Sequence, residues 1–158
     1  DVAPFDLNII HVPWELFNNG RSQAQKRSGS AYLVKKGKNR NLVHDLNSSI
    51  CVDNMKLTEV VEIFKKVEVF YSYDSATFMS KLAVLAGAQS VIIPDSIDSP
   101  DPQLSLSKKN QNGIAYGIQD LPRAIKTAPL LKKELEKQEL QSIENAHKFA
   151  DFWIKRLQ

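Results

Sequence analysis

The sequence predicts an α/β domain with a mostly parallel sheet, helices on both faces and a long C-terminal helix, and three observations lead there. Short runs rich in β-branched and aromatic residues recur at 30–34, 49–52, 67–73, 90–93 and 114–116. Stretches with apolar residues at helical spacing lie between several of them, and strands joined through helices pair in parallel. The 158 residues, 42% of them hydrophobic, suffice for one domain with a sizeable core.

Residues 1–27 hold Ile9, Ile10, Val12, Trp14, Leu16 and Phe17, interrupted by Pro13, and read as an extended linker or N-terminal extension rather than a long helix. The domain proper is expected over 28–158. Its first strand, SAYLV at 30–34, runs into the basic stretch 35–40. The second, 49–52, is followed by the turn Asp53-Asn54-Met55-Lys56 and a helix with Thr58 as N-cap, whose Val60, Val61, Phe64 and Val67 share one side. Cys51, the single cysteine, reads as a buried thiol in that apolar strand, and a reducing setting follows.

The stretch 71–95 reads as strand, turn, helix, tight turn and strand in one run. Phe78, Leu82 and Leu85 have helical spacing that gives way at Gly87, and the strand 90–93 closes at Pro94. Asp74, Ser75, Ala76 and Thr77 precede the helix; short polar side chains there cap free amides, and the same amides with the helix dipole attract anions. Ordinary capping and phosphate binding are both open readings of this turn.

Residues 96–113, with Pro100, Pro102 and four serines, read as the longest irregular stretch. A short helix is expected at 121–126, capped by Asp120 with Pro122 in its first turn. From 129 to 157, Leu131, Leu135, Ile143, Ala146, Phe149, Ala150, Trp153 and Leu157 predict one amphipathic helix or two in series, with the aromatic end in the core.

In order and spacing these segments resemble the donor-binding half of the metal-independent glycosyltransferases of the GT-B fold, over residues 28–116. Asp74 matches the family's first acid, Ala86-Gly87 its small-Gly pair and 91–94 its closing strand. Tyr73, Asp74 and Thr77 match the Tyr-Asp-x-x-Thr of a bacterial polysaccharide-type subgroup, while Leu82 stands where the family carries a second acid. The resemblance implies a Rossmann-like domain that binds a nucleotide-diphosphate sugar without a metal or other cofactor. Lys35, Arg40, Ser75 and Thr77 would hold the diphosphate. Asp53 and Asn54 would border the base, and Tyr73 and Asp74 would meet the donor. The catalytic base would come from an acceptor domain missing from this sequence. A non-catalytic nucleotide-binding or interaction module of the same α/β frame is the competing reading, favoured by Leu82.

Charge and motif content exclude other classes. The net charge of +3, from 21 basic and 18 acidic residues, suits anionic ligands, but the basic residues are too dispersed for a nucleic-acid surface. No Gly-x-Gly-x-x-Gly or P-loop run is present, and His11, His44 and His147 are scattered. Asp95, Asp98 and Asp101 read as a solvated acidic loop. No apolar run approaches a membrane span and no signal peptide is visible, so a cytoplasmic location is expected. The chain opens at Asp1 and is expected to be a trimmed piece.

Overall fold

The computed structural model describes residues 8–17, 26–37, 42–75, 77–94 and 111–157. Arg40, Ala76, Asp95, Asp98 and Asp101 lie outside them. The chain divides into two compact units: 15–131, and 1–14 together with 132–158.

The larger unit is built on a five-stranded sheet of β1 (Ser30–Leu33), β2 (Ser49–Cys51), β3 (Val69–Ser72), β4 (Gln89–Ile92) and β5 (Ile114–Tyr116). Every pairing is parallel and the spatial order is β2-β1-β3-β4-β5. This is the α/β, Rossmann-like fold the sequence predicts.

Strand alternation divides the core into two layers. Ala31, Leu33 and Phe70 face α1 (Leu57–Phe64) and α2 (Met79–Ala86), packing with Val60, Phe64, Leu82, Ala83 and Ala86. Tyr73, Val91, Ile93 and Ala115 face the other way, against Leu121 and Ala124 at the start of α3 (Leu121–Leu157). Handedness explains the split. The connections through α1 and α2 advance towards β4, whereas the step from β1 to β2 runs the opposite way along the sheet, and right-handedness puts it on the other face, where its described residue His44 lies over Tyr32, Tyr71 and Tyr73.

Local chemistry sets the helix ends, with two corrections to the sequence reading. The N-cap of α1 is Lys56, not Thr58; its amide donates to Glu59 Oε2 at 3.0 Å, placing Thr58 inside the first turn. Gly87 ends α2 at φ 86°, with bonds from Gly87 N to Val84 O (2.8 Å) and from Ala88 N to Ala83 O (2.9 Å), the pattern of a glycine-terminated helix. The second correction is that α3 is one helix, continuous through Pro129. Proline lacks an amide for the carbonyl of Ile125, but tertiary bonds hold the preceding turns. Arg123 donates to Gln111 O and Ile114 O, and Gly113 N donates to Thr127 Oγ1. Asp120 accepts from Tyr116 N at 2.9 Å and pairs with Arg123 at 2.6 Å.

Arg27 ties the larger unit together at the opposite edge. Its Nη1 donates to Phe64 O and Val67 O, and its Nη2 to Ala86 O, satisfying carbonyls left free at the ends of α1 and α2.

In the smaller unit, Glu139 accepts hydrogen bonds from Trp14 Nε1 (2.6 Å) and Val12 N (3.0 Å) and pairs with His11 Nδ1 (3.1 Å). Ile10 N donates to Ser142 Oγ at 3.3 Å. Among the described residues of the stretch 1–27, Trp14–Leu16 form a 3-10 turn. No helix of the described residues is long and apolar enough to cross a membrane.

Candidate functional site

In an open parallel sheet, ligands bind beyond the carboxyl ends of the strands where the strand order reverses. Here the reversal falls between β1 and β3. The residues after β1 are Val34 and a 3-10 turn, Lys35–Gly37; those after β3 are Tyr73, Asp74 and Ser75.

The turn after β1 is built under constraint. Lys35 is exposed and has φ 35°, the one non-glycine residue with positive φ among the described residues. A side chain in this region is sterically disfavoured and persists only where its surroundings hold it. Asp53, at the end of β2, supplies the hold: its Oδ1 accepts from Val34 N at 3.0 Å and Lys35 N at 3.1 Å. Gly37 then packs against the backbone after β3, where an added Cβ would lie 2.2 Å from the carbonyl oxygen of Tyr73.

The turn after β3 is equally specific. Ser72 Oγ donates to the carbonyl of Asp74 at 2.7 Å, and Asp74 is buried. Thr77 Oγ1 accepts from Met79 N at 3.2 Å, so Thr77 takes up one of the free amides at the start of α2. Ser75 and Thr77 are half-buried and Asn54 is exposed. The structure thus brings Lys35 and Asp53 together and sets Asp74, Ser75 and Thr77 on the loop of the neighbouring strand. Arg40 lies outside the described residues. Tyr73 is fully buried, and its hydroxyl is engaged inside the protein.

That hydroxyl belongs to a cluster the sequence reading missed. The β1–β2 connection crosses the sheet with His44 lying over Tyr32, Tyr71 and Tyr73. The imidazole stacks on Tyr71 with centroids 4.7 Å apart and planes 14° from parallel. It lies 4.8 Å from the Tyr32 ring and 5.7 Å from that of Tyr73. His44 Nδ1 and Val43 N both reach Tyr73 Oη at 2.8 Å, while His44 Nε2 is buried and has no hydrogen-bond partner among the described residues. Burial pushes the His44 pKa below its ordinary 6.5, against a smaller opposing effect of Asp45. Burial likewise raises the Tyr32 and Tyr73 phenols above 10.0. Half of the signal was available in the sequence: tyrosines 32, 71 and 73 alternate onto one face of their strands, whereas the passage of the β1–β2 connection over that face follows from handedness only with the strand order in hand.

Cys51 corrects another expectation. It is exposed, because β2 is an edge strand, and its Sγ donates to Asp53 Oδ2 at 3.7 Å. Among the described residues no group of three or more His, Cys, Asp or Glu side chains could hold a metal ion. Two clefts lie away from the β1/β3 edge. One, of about 550 Å³, is lined by Met55, Thr58, Glu59, Glu62 and Ile63. The other, of about 260 Å³, includes Val84, Gly113, Leu121 and Ala128.

Comparison with protein-family profiles, with curated proteins and with solved structures gives no match for this chain.

Proposed function

We propose that the larger unit binds the diphosphate of a nucleotide sugar at the β1/β3 edge and is the donor-binding half of a cytoplasmic glycosyltransferase. One observation carries the reading: a cationic residue, Lys35, is held at positive φ by Asp53 at the point where the strand order reverses. Backbone strain of this kind is concentrated at functional sites. Lys35 and Arg40 supply fixed positive charge to a diphosphate leaving group, a role that needs no metal. Ser75, Thr77 and the first amides of α2 take phosphate oxygens, as helix starts do. Asn54 borders the base, Asp74 meets the sugar, and Asp53 and Tyr73 act through the turns they fix. The acceptor domain and its catalytic base belong to the remainder of the enzyme.

The second reading, a nucleotide-binding module without catalysis, draws on Gly37, whose contact with the Tyr73 backbone fills part of the space between the two turns, and on Leu82.

Calorimetric titration with nucleoside diphosphates and their sugars tests both. Saturable binding should weaken tenfold or more, about 1.4 kcal/mol, in Lys35→Ala. Thr77→Val should weaken it less, and a chelator should leave it unchanged. No binding, or full affinity in Lys35→Ala, would sink the site. Binding by a longer protein with an acceptor domain but no sugar transfer would favour the module.

A further inference from the structure

Of the seven residues 42–48 that lead into β2, His44 alone is not exposed. Leu42, Val43 and Leu46 are 45%, 54% and 40% exposed, and Asp45 turns its carboxylate back into the segment, accepting from Asn47 N at 2.9 Å. The segment is therefore fastened to the sheet face by one ring and one phenol. His44 lies against Tyr32, Tyr71 and Tyr73, and Tyr73 Oη meets both His44 Nδ1 and Val43 N. The donors present assign the protons of the neutral ring. Because Val43 N donates to Oη, the phenol proton is left for Nδ1, and the imidazole carries its own proton on Nε2. A second proton has no place here. It would turn Nδ1 into a donor and deprive the phenol proton of its acceptor, while the Nε2 proton stays buried with no acceptor among the described residues.

We propose that His44 and Tyr73 form an acid-released clasp: protonation of the imidazole detaches segment 42–48 from the sheet and uncovers the rings of Tyr32 and Tyr71. Charge around the ring opposes this only weakly. Among the described residues, the titratable groups facing the imidazole are Tyr32 on β1, Tyr71 on β3, Tyr73 just beyond it and Asp45 in the segment itself. Burial keeps the Tyr32 and Tyr73 phenols neutral wherever histidine titrates. Cys51 and Asp53 act on Tyr32 rather than on the imidazole. Asp45 favours the charged ring, but it is exposed and engaged with Asn47, and the burial of the imidazole outweighs it. Both core layers are built without residues 42–48. The sheet therefore keeps its packing when the segment leaves, and the device is a local opening rather than an unfolding.

Amide hydrogen exchange and imidazole NMR on the 158-residue chain test it together. Linkage makes the opening equilibrium rise tenfold for each unit by which the His44 pKa lies below 6.5. The protection factor of the Val43 amide should fall by that factor in acid, along the same curve as the imidazole titration. Its exchange should not respond to urea below the unfolding transition, whereas amides of β3 and β4, which open with the whole sheet, should respond. His44→Gln should flatten the Val43 profile. Tyr73→Phe, which removes the oxygen of the clasp, should leave Val43 unprotected at every pH. The proposal is overturned by Val43 protection that is constant with pH, that falls equally in His44→Gln, or that survives in Tyr73→Phe. It is overturned as well if Val43 exchange carries the urea dependence of β3 and β4, because the segment then leaves only on unfolding. A rise of Val43 protection in acid also refutes it, by showing the imidazolium held as a cation against the tyrosine faces.

Discussion

Tyr73 Oη sits 2.8 Å from His44 Nδ1 and 2.8 Å from Val43 N, so one buried phenol fastens the β1–β2 connection to the end of the central strand. Removing that hydroxyl in Tyr73→Phe keeps the ring in the core but leaves the Val43 amide and the imidazole without their partner. A loss of about 1–2 kcal/mol is expected in urea denaturation. Unchanged stability would show that the connection is held by ring packing alone.

His44 makes stability depend on pH. Its pKa in the folded protein lies below 6.5, so between that lowered value and 6.5 the unfolded chain binds more protons. The contribution is complete above 6.5, declines as pH falls towards the folded value, and levels off beneath it. The groups facing the imidazole are Tyr32, Tyr71, Tyr73 and Asp45, of which Asp45 alone opposes the shift. Denaturation between pH 7 and 4 should show a part of the slope that disappears in His44→Gln. An identical slope in both proteins would contradict the assignment.

Asp53 holds the turn that presents Lys35. Asp53→Ala frees two amides and the restraint on a strained residue, and should cost about 1–3 kcal/mol. Asp53→Asn, which keeps an acceptor, should cost less. If the turn binds diphosphate, Asp53→Ala also weakens binding in calorimetry while Lys35 itself is intact.

Gly37 tests the closeness of the two loops. A methyl group there meets the oxygen, carbon and Cβ of Tyr73 within 2.7 Å, and the backbone on both sides must shift. Gly37→Ala should destabilise by about 3 kcal/mol. A thermal midpoint within a degree of the parent would show that the turn has room.

In the smaller unit, the Glu139 carboxyl is held below its ordinary pKa of 4.5 mainly by Trp14 and then by the Val12 amide. The stabilisation from this group is therefore present above 4.5 and lost as pH falls through the folded value. Trp14 fluorescence in a Trp153→Phe background should report that transition below pH 4.5. Glu139→Gln should remove it.

The sequence by itself determined the elements. All five strands of the described residues fall where short apolar runs predict them, Gly87 ends α2, and Thr77 bonds an amide at the start of the same helix, because periodicity and capping are written in neighbouring residues. Tertiary structure decided what those elements meet. Sheet order made β2 an edge and left Cys51 exposed, and right-handed crossover laid His44 over three tyrosines. Asp53 became the restraint on a turn 18 residues before it in the chain. Along α3, helical spacing did identify apolar residues, but periodicity cannot tell a buried stripe from an open one beside it. Ile143, Ala150 and Leu157 ended on the open side because burial depends on which neighbours the fold brings, a property no local pattern contains.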